Sequence, residues 1–176
     1  MVITKTKIDG VYIVERKPFK DERGWFTRIV DVAELKEAGM YADFVQINLC
    51  QSYKKGTVRG LHSQVGDAAE DKLVSCIRGA VFDVCVDVRP QSPTYGQYVG
   101  EVLSEDNNRM LYVPKGCAHG YMSITDDSMA LYFVSQFYTP KAEKGYRFDD
   151  PFFNIKWPVE PPYIVSAKDL ASNFIN

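Results

Sequence analysis

Short apolar segments separated by turn-forming residues make up most of this 176-residue chain. The clearest example, "AVFDVCVDV" (80–88), places its phenylalanine and three of its valines on one face of an extended chain. Asp83 and Asp87 fall on the other face, together with Val81 and Cys85. Because side chains alternate between the two faces of a strand, this period of two predicts a strand with one apolar face.

Similar short runs predict further strands along the chain. They are "FVQINLC", "TVRGLH", "KLVSCI", "QYVGEVL", "RMLYV", "GYMSI" and "MALYFVSQF". Turn signals such as "KKG", "RGA", "SPTYG" and "PKG" separate these runs from one another. Many short strands at this spacing are typical of an all-β sandwich or barrel.

Helices are predicted in two places. The segment "VAELKEAGM" (32–40) carries Gly39 near its end, and "SAKDLASN" (166–173) is expected to form a short terminal helix. From about residue 139 the chain becomes rich in proline and aromatic residues, and we expect this stretch to wrap the barrel surface. Since no repeat or low-complexity linker divides the sequence, we expect one domain over residues 1–176.

Composition and charge exclude several classes of function. The net charge is −2, the isoelectric point is near 5.7, and no block of like charge occurs. The chain therefore lacks the basic surface that binds nucleic acid or an anionic membrane, and we expect neither partner. The four cysteines show no zinc-finger spacing, and the N-terminus lacks the apolar core of a signal peptide. We therefore expect reduced thiols and a cytoplasmic location.

The chain has two histidines, and each lies close to a glycine. His62 occurs in "RGLHSQ", and His119 occurs in "PKGCAHG". The second run resembles the P-x-G-x-x-H signature of cupin barrels, in which Pro114 and Gly116 occupy the other two positions. This resemblance implies an all-β fold, namely a cupin-type jelly-roll barrel with a few short peripheral helices.

The other cupin signature, which begins at His62, is matched only in part. Gln64 stands where the signature has a second histidine, and Lys72 stands where it has an acid. Because an ammonium group repels a cation and cannot coordinate it, we predict no metal site. Two interpretations of the histidines then stay open. They are hydrogen-bonded residues of the interior, or they are functional groups such as a base that transfers a proton.

Longer runs resemble one enzyme family, the dTDP-4-dehydrorhamnose 3,5-epimerases. They are "KGTVRGLH", "KLVSCIRGAVFDVCVDVRPQSPTYG", "YVPKGCAHGY" and "GYRFDDPFFNIKWP". The resemblance extends over essentially the whole chain, from "DERGWF" to "SAKD". It implies a cofactor-independent epimerase that inverts C3, C5 or both carbons of a dTDP-linked 4-keto-6-deoxy hexose. A proton next to the ketone is removed, an enolate forms, and a proton returns to the other face.

The resemblance implies catalytic roles for five residues. His62 would be the base, and Asp169 would hold its tautomer and stabilise the imidazolium. Lys72 would stabilise the enolate oxygen, Tyr132 would be the acid on the opposite face, and Tyr138 would lie nearby. Simpler interpretations are helix capping for Asp169, a solvated strand end for Lys72, and core packing for two of the 11 tyrosines.

The resemblance also implies which residues bind the substrate. They are Arg23, Phe26, Gln46, Asn48, Arg59, His119, Glu143 and Lys168. Arginines suit the diphosphate because their guanidinium groups form paired hydrogen bonds with phosphate oxygens. We further expect a homodimer in which the N-terminal segments, with Arg23 and Phe26, reach across to the neighbour's nucleotide site.

The chain departs from the usual family pattern at Ser63, Arg28, Leu49 and Cys50. These departures are expected to alter the pocket wall and to leave the proton-transfer residues intact. That combination favours an epimerase that acts on a related keto-sugar, or one that inverts a single carbon. A sugar ketoisomerase on the same barrel is a second interpretation, and a non-catalytic cupin that binds a sugar or nucleotide is a third. The intact proton-transfer residues argue against the third.

Overall fold

The structure is a computed structural model that describes residues 1–175. Its strands are β1 (Val2–Lys5), β2 (Tyr12–Glu15), β3 (Phe19–Asp21), β4 (Gly24–Phe26), β5 (Gln46–Ser52), β6 (Thr57–Gln64), β7 (Lys72–Arg78), β8 (Ala80–Asp87), β9 (Tyr98–Ser104), β10 (Arg109–Val113), β11 (Cys117–Ser123), β12 (Ser128–Val134), β13 (Glu143–Gly145) and β14 (Ile164–Val165). The helices are α1 (Val32–Glu37) and α2 (Ala167–Leu170), with 3₁₀ turns at Gly66–Ala68 and Pro140–Ala142.

Two sheets pack face to face and enclose an apolar interior. The first sheet has the order β1-β2-β10-β7-β12-β5, and the second has the order β13-β6-β11-β8-β9 with β14 beside β6. The interior cluster takes Val74 and Leu111 from the first sheet and Val81 and Cys85 from the second. The predicted all-β, cupin-type jelly roll with short peripheral helices is confirmed.

Strand β8 was expected to have one apolar face, but both of its faces are buried. Val84 and Val86 pack beneath the C-terminal segment, whereas Val81 and Cys85 point into the space between the sheets. Asp83 and Asp87, which the alternation placed on a polar face, are fully buried. The prediction of a strand with one apolar face is therefore wrong.

Buried partners explain how β8 tolerates aspartates on its inward face. The side chain of Asp87 accepts hydrogen bonds from Arg89, Ser92 and Thr94. Asp83 accepts a hydrogen bond from His119 on β11, the neighbouring strand. Buried carboxylates persist when such donors offset the cost of removing them from water.

Helix α1 agrees with its prediction. Asp31 caps its N-terminus by accepting hydrogen bonds from the backbone N–H groups of Ala33 and Glu34. Gly39 follows the helix with a φ of +82°, a conformation that glycine adopts without a Cβ clash. Leu35 is fully buried in the apolar cluster on the outer face of the first sheet.

The C-terminal segment wraps the barrel, as its composition predicts. Tyr146 and Phe153 pack on the outer face of the second sheet, and Phe148 and Trp157 extend this cover. The segment ends near α2, which Ser166 caps through its hydroxyl. No helix within residues 1–175 has both the length and the apolar character that crossing a bilayer requires.

A close approach between β6 and β11 determines where the histidines lie. A Cβ on Gly60 would lie 2.7 Å from the carbonyl oxygen of His119, and a Cβ on Gly120 would lie 2.6 Å from that of Arg59. Larger residues would push the two strands apart at this point. The strands pair so that His62 lies directly opposite His119.

Candidate active site

A cavity of about 450 Å³ lies between the two sheets at the polar end of the barrel interior. Strands β6 and β13 contribute to it from one sheet, and β5, β7 and β12 contribute from the other. Its lining residues are Gln46, Asn48, His62, Ser63, Gln64, Glu70, Lys72, Tyr132, Val134, Tyr138 and Glu143. Four of the five residues predicted to be catalytic therefore border one space.

The fifth predicted catalytic residue, Asp169, reaches this space through His62. The Nε2 atom of His62 donates to Asp169 Oδ1 at 2.6 Å, which leaves Nδ1 as the unoccupied ring nitrogen. Ser166 accepts from the backbone N–H of Asp169 at 3.0 Å, so this aspartate belongs both to the helix cap and to the histidine pair. Burial opposes ionisation of Asp169, but hydrogen bonds from His62 and its neighbours lower its pKa below the ordinary value.

A charged cluster borders the other side of the imidazole. Glu143 Oε1 lies 3.8 Å from His62 Nδ1. The same carboxylate accepts from the Tyr138 hydroxyl at 2.6 Å and from Lys168 Nζ at 2.6 and 2.7 Å. Although burial acts in the opposite direction, these two donors lower the pKa of Glu143. The hydrogen bond to Glu143 in turn raises the pKa of Tyr138.

Lys72 and Tyr132 approach the cavity from the opposite sheet. They lie on the neighbouring strands β7 and β12, on which Lys72 pairs with Val134 and Tyr132 pairs with Val74. Burial is the main cause that raises the pKa of Tyr132, so its hydroxyl stays protonated near neutral pH. The cavity therefore has a histidine–carboxylate pair on one wall and an ammonium with a phenol on the other.

Glu70 is a cavity residue that the sequence analysis missed. Its carboxylate lies 3.1 Å from Lys72 Nζ, and its side chain is only 9% exposed. In the sequence it is one of several acidic residues in "GDAAEDK", and nothing local distinguishes it from a surface charge. The one available signal is its position two residues before Lys72.

Amide side chains hold the loop that closes one end of the cavity. Gln64 Oε1 accepts from the backbone N–H of Thr139 at 2.6 Å, and its Nε2 donates to the carbonyl of Phe137. Gln46 Oε1 accepts from the backbone N–H of Tyr138 at 2.7 Å. Gln64, which stands where the cupin signature has a histidine, therefore anchors this loop.

His119 and Arg59 lie beside the cavity without lining it. His119 Nε2 donates to Asp83 Oδ1 at 2.8 Å, and its side chain is 9% exposed against 30% for His62. Arg59 donates to the carbonyl of Gln51 at 2.9 Å. Asp83 is the second residue near the site that the sequence analysis did not select, because it took the aspartate-bearing face for a polar one.

Arg23 and Phe26 lie outside this cavity. They belong to the hairpin β3–β4, which forms a separate two-stranded sheet. Arg23 pairs with Asp21 at 2.6 Å, and Phe26 is 68% exposed together with its neighbour Trp25 at 63%. Neither predicted residue contributes to the cavity of its own chain.

The departures from the family pattern fall in two environments. Ser63 borders the cavity, and its hydroxyl is buried without a hydrogen-bond partner within residues 1–175. Cys50 is partly buried on the inward face of β5. Leu49 is exposed on the outer face of β5, and Arg28 pairs with Asp31 at the start of α1. Of these four residues, Ser63 alone lines the cavity, so the expected change in the pocket wall is confined to it.

Comparisons with known proteins agree with this geometry. The family model for dTDP-4-dehydrorhamnose 3,5-epimerase matches residues 5–176. The dTDP-4-dehydrorhamnose 3,5-epimerase of Shigella flexneri is 43% identical over 171 residues, which cover 97% of this chain and 93% of that one.

Solved structures show the same similarity in three dimensions. A dTDP-6-deoxy-D-glucose-3,5-epimerase of Legionella pneumophila, in complex with dTDP-4-keto-L-rhamnose, matches with a TM-score of 0.93 and 39% identity, covering 98% of this chain and 92% of that one. A 3'-monoepimerase of Streptomyces bikiniensis, in complex with dTDP-quinovose, matches with a TM-score of 0.91 and 28% identity, covering 97% and 86%. The chain belongs to the dTDP-4-dehydrorhamnose 3,5-epimerase family.

Proposed function

We propose that this chain inverts C3 and C5 of a dTDP-linked 4-keto-6-deoxy hexose by proton transfer through an enolate. The observation that carries the proposal is the cavity with the His62–Asp169 pair on one sheet and Lys72 with Tyr132 on the other. A sugar ring between two such walls meets a base on one face and an acid on the other. Inversion of a carbon next to a ketone requires that arrangement.

His62 acts as the base through Nδ1. The hydrogen bond from Nε2 to Asp169 determines the tautomer and leaves the Nδ1 lone pair to take the proton from the carbon. Asp169 stays ionised because its pKa is lowered, so it stabilises the imidazolium that forms. Its hydrogen bond also orients the ring, since Asp169 is itself held by the Ser166 cap.

Lys72 stabilises the negative charge that develops on O4 when the proton leaves. An ammonium group stabilises an enolate more strongly in a partly enclosed cavity than it does in water. Tyr132 then returns a proton from the opposite face. Its raised pKa keeps the hydroxyl protonated, which a donor requires. Tyr138, whose hydroxyl is engaged by Glu143, is the second candidate for the acid.

The nucleotide is proposed to extend from this cavity toward Arg59, His119, Lys168 and the partner's hairpin β3–β4. Arg23 and Phe26 do not line the cavity of their own chain, and Phe19, Trp25 and Phe26 expose three aromatic rings on this hairpin. A homodimer in which the hairpin covers the neighbour's site would bury those rings and supply an arginine for the diphosphate.

Composition, cysteine content and the extent of the family match bear on partners, location and domain organisation. No block of basic residues favours nucleic acid or an anionic membrane as a partner. Four free cysteines are consistent with a reducing, cytoplasmic location. The family match over residues 5–176 supports a single domain.

A single-centre epimerase is the second candidate. Two observations favour it, namely the structural match to a 3'-monoepimerase and the altered residue Ser63 at the cavity. The identity of 43% to a 3,5-epimerase favours the double inversion over this alternative.

Deuterium uptake from heavy water tests the proposal and its alternative together. A panel of dTDP-linked 4-keto-6-deoxy sugars is incubated with the enzyme, and NMR follows C3 and C5 separately. Exchange and inversion at both carbons support the double epimerase, and exchange at one carbon supports the alternative. A carbonyl that moves to another carbon would identify a ketoisomerase. If no sugar of the panel exchanges, the chain is not an epimerase of this class.

A further inference from the structure

Glu70 places a second charge beside the proposed enolate-stabilising lysine. Its Oε1 atom lies 3.1 Å from Lys72 Nζ, its side chain is about nine-tenths buried, and it lines the cavity. The mechanism above does not use this carboxylate. Placing a carboxylate next to the ammonium reduces the positive charge available to the enolate, so its presence needs a separate reason.

The carboxylate has unused hydrogen-bonding capacity. An ionised glutamate offers about four lone-pair positions, and a lysine ammonium offers three N–H donors. Lys72 is the one charged partner of Glu70 within residues 1–175, and one contact between them leaves both groups capable of binding a ligand. A buried carboxylate with a single partner is costly unless further donors reach it. Since Glu70 lines the cavity, a bound molecule can supply those donors.

The charge of Glu70 limits which part of the substrate it contacts. A carboxylate repels the diphosphate, so Glu70 marks the part of the cavity that holds the uncharged sugar. A sugar supplies hydroxyl donors, and a hydroxyl donating to a carboxylate forms a strong, charge-assisted hydrogen bond. Glu70 precedes β7 by two residues, and β7 pairs with β12, which carries Tyr132, so Glu70 lies on the same side of the cavity as the proposed acid.

We infer that Glu70 accepts a hydrogen bond from the C3 hydroxyl of the sugar and is a specificity-determining residue for that carbon. This inference rests on the proposed function, in which Lys72 holds O4. In a 4-keto-6-deoxy hexose the carbons next to the ketone are C3, which carries a hydroxyl, and C5, which carries a methyl group and the ring oxygen. The C3 hydroxyl is therefore the one donor adjacent to O4. A carboxylate in contact with the ammonium that binds O4 is placed to receive it.

This contact has a consequence for the reaction. The direction of the C3 hydroxyl changes when C3 is inverted, so an acceptor at one position stabilises one configuration more than the other. Glu70 would therefore bias the equilibrium of bound C3 epimers and discriminate against sugars that lack the hydroxyl. Its contact with Lys72 keeps the acceptor in place in both states.

Two substrates and two substitutions test the inference. The enzyme is assayed by solvent-deuterium exchange next to the ketone, with the 4-keto-6-deoxy sugar nucleotide and with its 3-deoxy analogue. The variants are Glu70→Gln, which keeps the shape and an acceptor oxygen, and Glu70→Ala. Asp67→Asn is the matched control, because it removes an exposed acid from the same loop outside the cavity. Circular dichroism and the melting temperature verify folding of each variant.

We expect Glu70→Ala to lower kcat/KM for the hydroxyl-bearing sugar by about 10–100-fold, the effect of losing a hydrogen bond to a charged group. Glu70→Gln should give a smaller loss. With the 3-deoxy analogue both variants should stay within about threefold of wild type, because the contact is already missing. The affinity for dTDP alone should not change in either variant.

Equal losses with both substrates would overturn the inference, since Glu70 would then act through Lys72 or through the fold alone. Unchanged kinetics of Glu70→Ala with the hydroxyl-bearing sugar would overturn it as well. If wild-type enzyme exchanges no proton of either sugar, the proposed function itself is wrong, and this outcome is distinct from a failure confined to the Glu70 variants.

Discussion

The two histidines make a natural comparison, because they face each other on adjacent strands and bind the same type of partner. His62 on β6 pairs with His119 on β11 in the strand register. Each donates through Nε2 to an aspartate, at 2.6 Å for His62 and at 2.8 Å for His119. The side chain of His62 is 30% exposed and borders the cavity, whereas that of His119 is 9% exposed and does not.

The difference shows that a histidine–aspartate pair is not by itself a catalytic device. Both pairs orient an imidazole, but of the two histidines His62 alone lines the cavity that is proposed to hold the substrate. The two aspartates also differ electrostatically. Hydrogen bonds outweigh burial for Asp169 and lower its pKa, whereas burial dominates for Asp83 and raises its pKa. Access to the cavity therefore separates a proposed base from a residue that can act on the substrate only from beside the cavity.

The largest expected effect comes from removing each imidazole in turn. His62→Asn should reduce deuterium exchange and turnover by about 10²–10⁴-fold, the usual effect of losing a general base. His119→Asn should keep kcat within about tenfold of wild type, with its main effect on KM, since it lies beside the cavity. Stopped assays and NMR exchange rates on both variants measure the contrast. Equal loss of kcat in the two variants would remove the distinction between the histidines.

Tyr132→Phe tests the proposed proton donor on the sheet opposite His62. A base that acts from β6 needs a donor on the other face of the sugar, and Tyr132 is the candidate. The variant should still exchange substrate protons with solvent through His62, within about tenfold of wild type, while the yield of inverted product falls by about 10²-fold or more. NMR separates the two quantities in one sample. If exchange and inversion fall together, Tyr132 binds substrate instead, and Tyr138 becomes the better candidate for the acid.

The dependence of stability on pH should differ in sign between the two aspartates. The lowered pKa of Asp169 contributes stability above pH 3.8 that is lost as the pH falls through the folded-state value. The raised pKa of Asp83 has the reverse effect, because stability is gained as the pH falls from that raised value toward 3.8. Melting curves of wild type, Asp169→Asn and Asp83→Asn between pH 7 and pH 2 check this, since the contribution of Asp169 is lost only below pH 3.8.

We expect the difference in melting temperature between wild type and Asp169→Asn to shrink on acidification. The difference between wild type and Asp83→Asn should instead shift in favour of wild type, each by about 2–4 °C. Parallel trends in the two variants would mean that the two aspartates have similar electrostatic environments after all.

A metal bound between the two histidines would make them one site, so metal dependence is the last test of the comparison. Lys72 and Gln64 occupy the positions at which the cupin signature has further ligands. Prolonged treatment with a chelator should therefore change the exchange rate by less than about twofold, with no recovery on adding zinc or manganese. Activity that is lost to the chelator and restored by a divalent ion would contradict the metal-free mechanism.

Local features were determined by the sequence alone. Alternating side chains and turn residues predicted the strands, and Gly39 marked the end of the internal helix. The short terminal helix and the aromatic wrap after residue 139 were also predicted correctly. These features depend on neighbours a few residues apart, so their physical causes are visible in the sequence itself. The family runs added His62 and Asp169, which the fold brings together across 107 positions.

Only the tertiary structure decided what each face of a strand contacts. The alternation in β8 identified which residues share a face, but both faces became buried because β8 lies between β11 and β9 beneath the C-terminal segment. The same non-local pairing buried Asp83 against His119. Gln64 likewise received its partners from a loop 73 and 75 residues away. Burial and charge pairing arise between segments distant in the chain, and the period of a single strand carries no information about them.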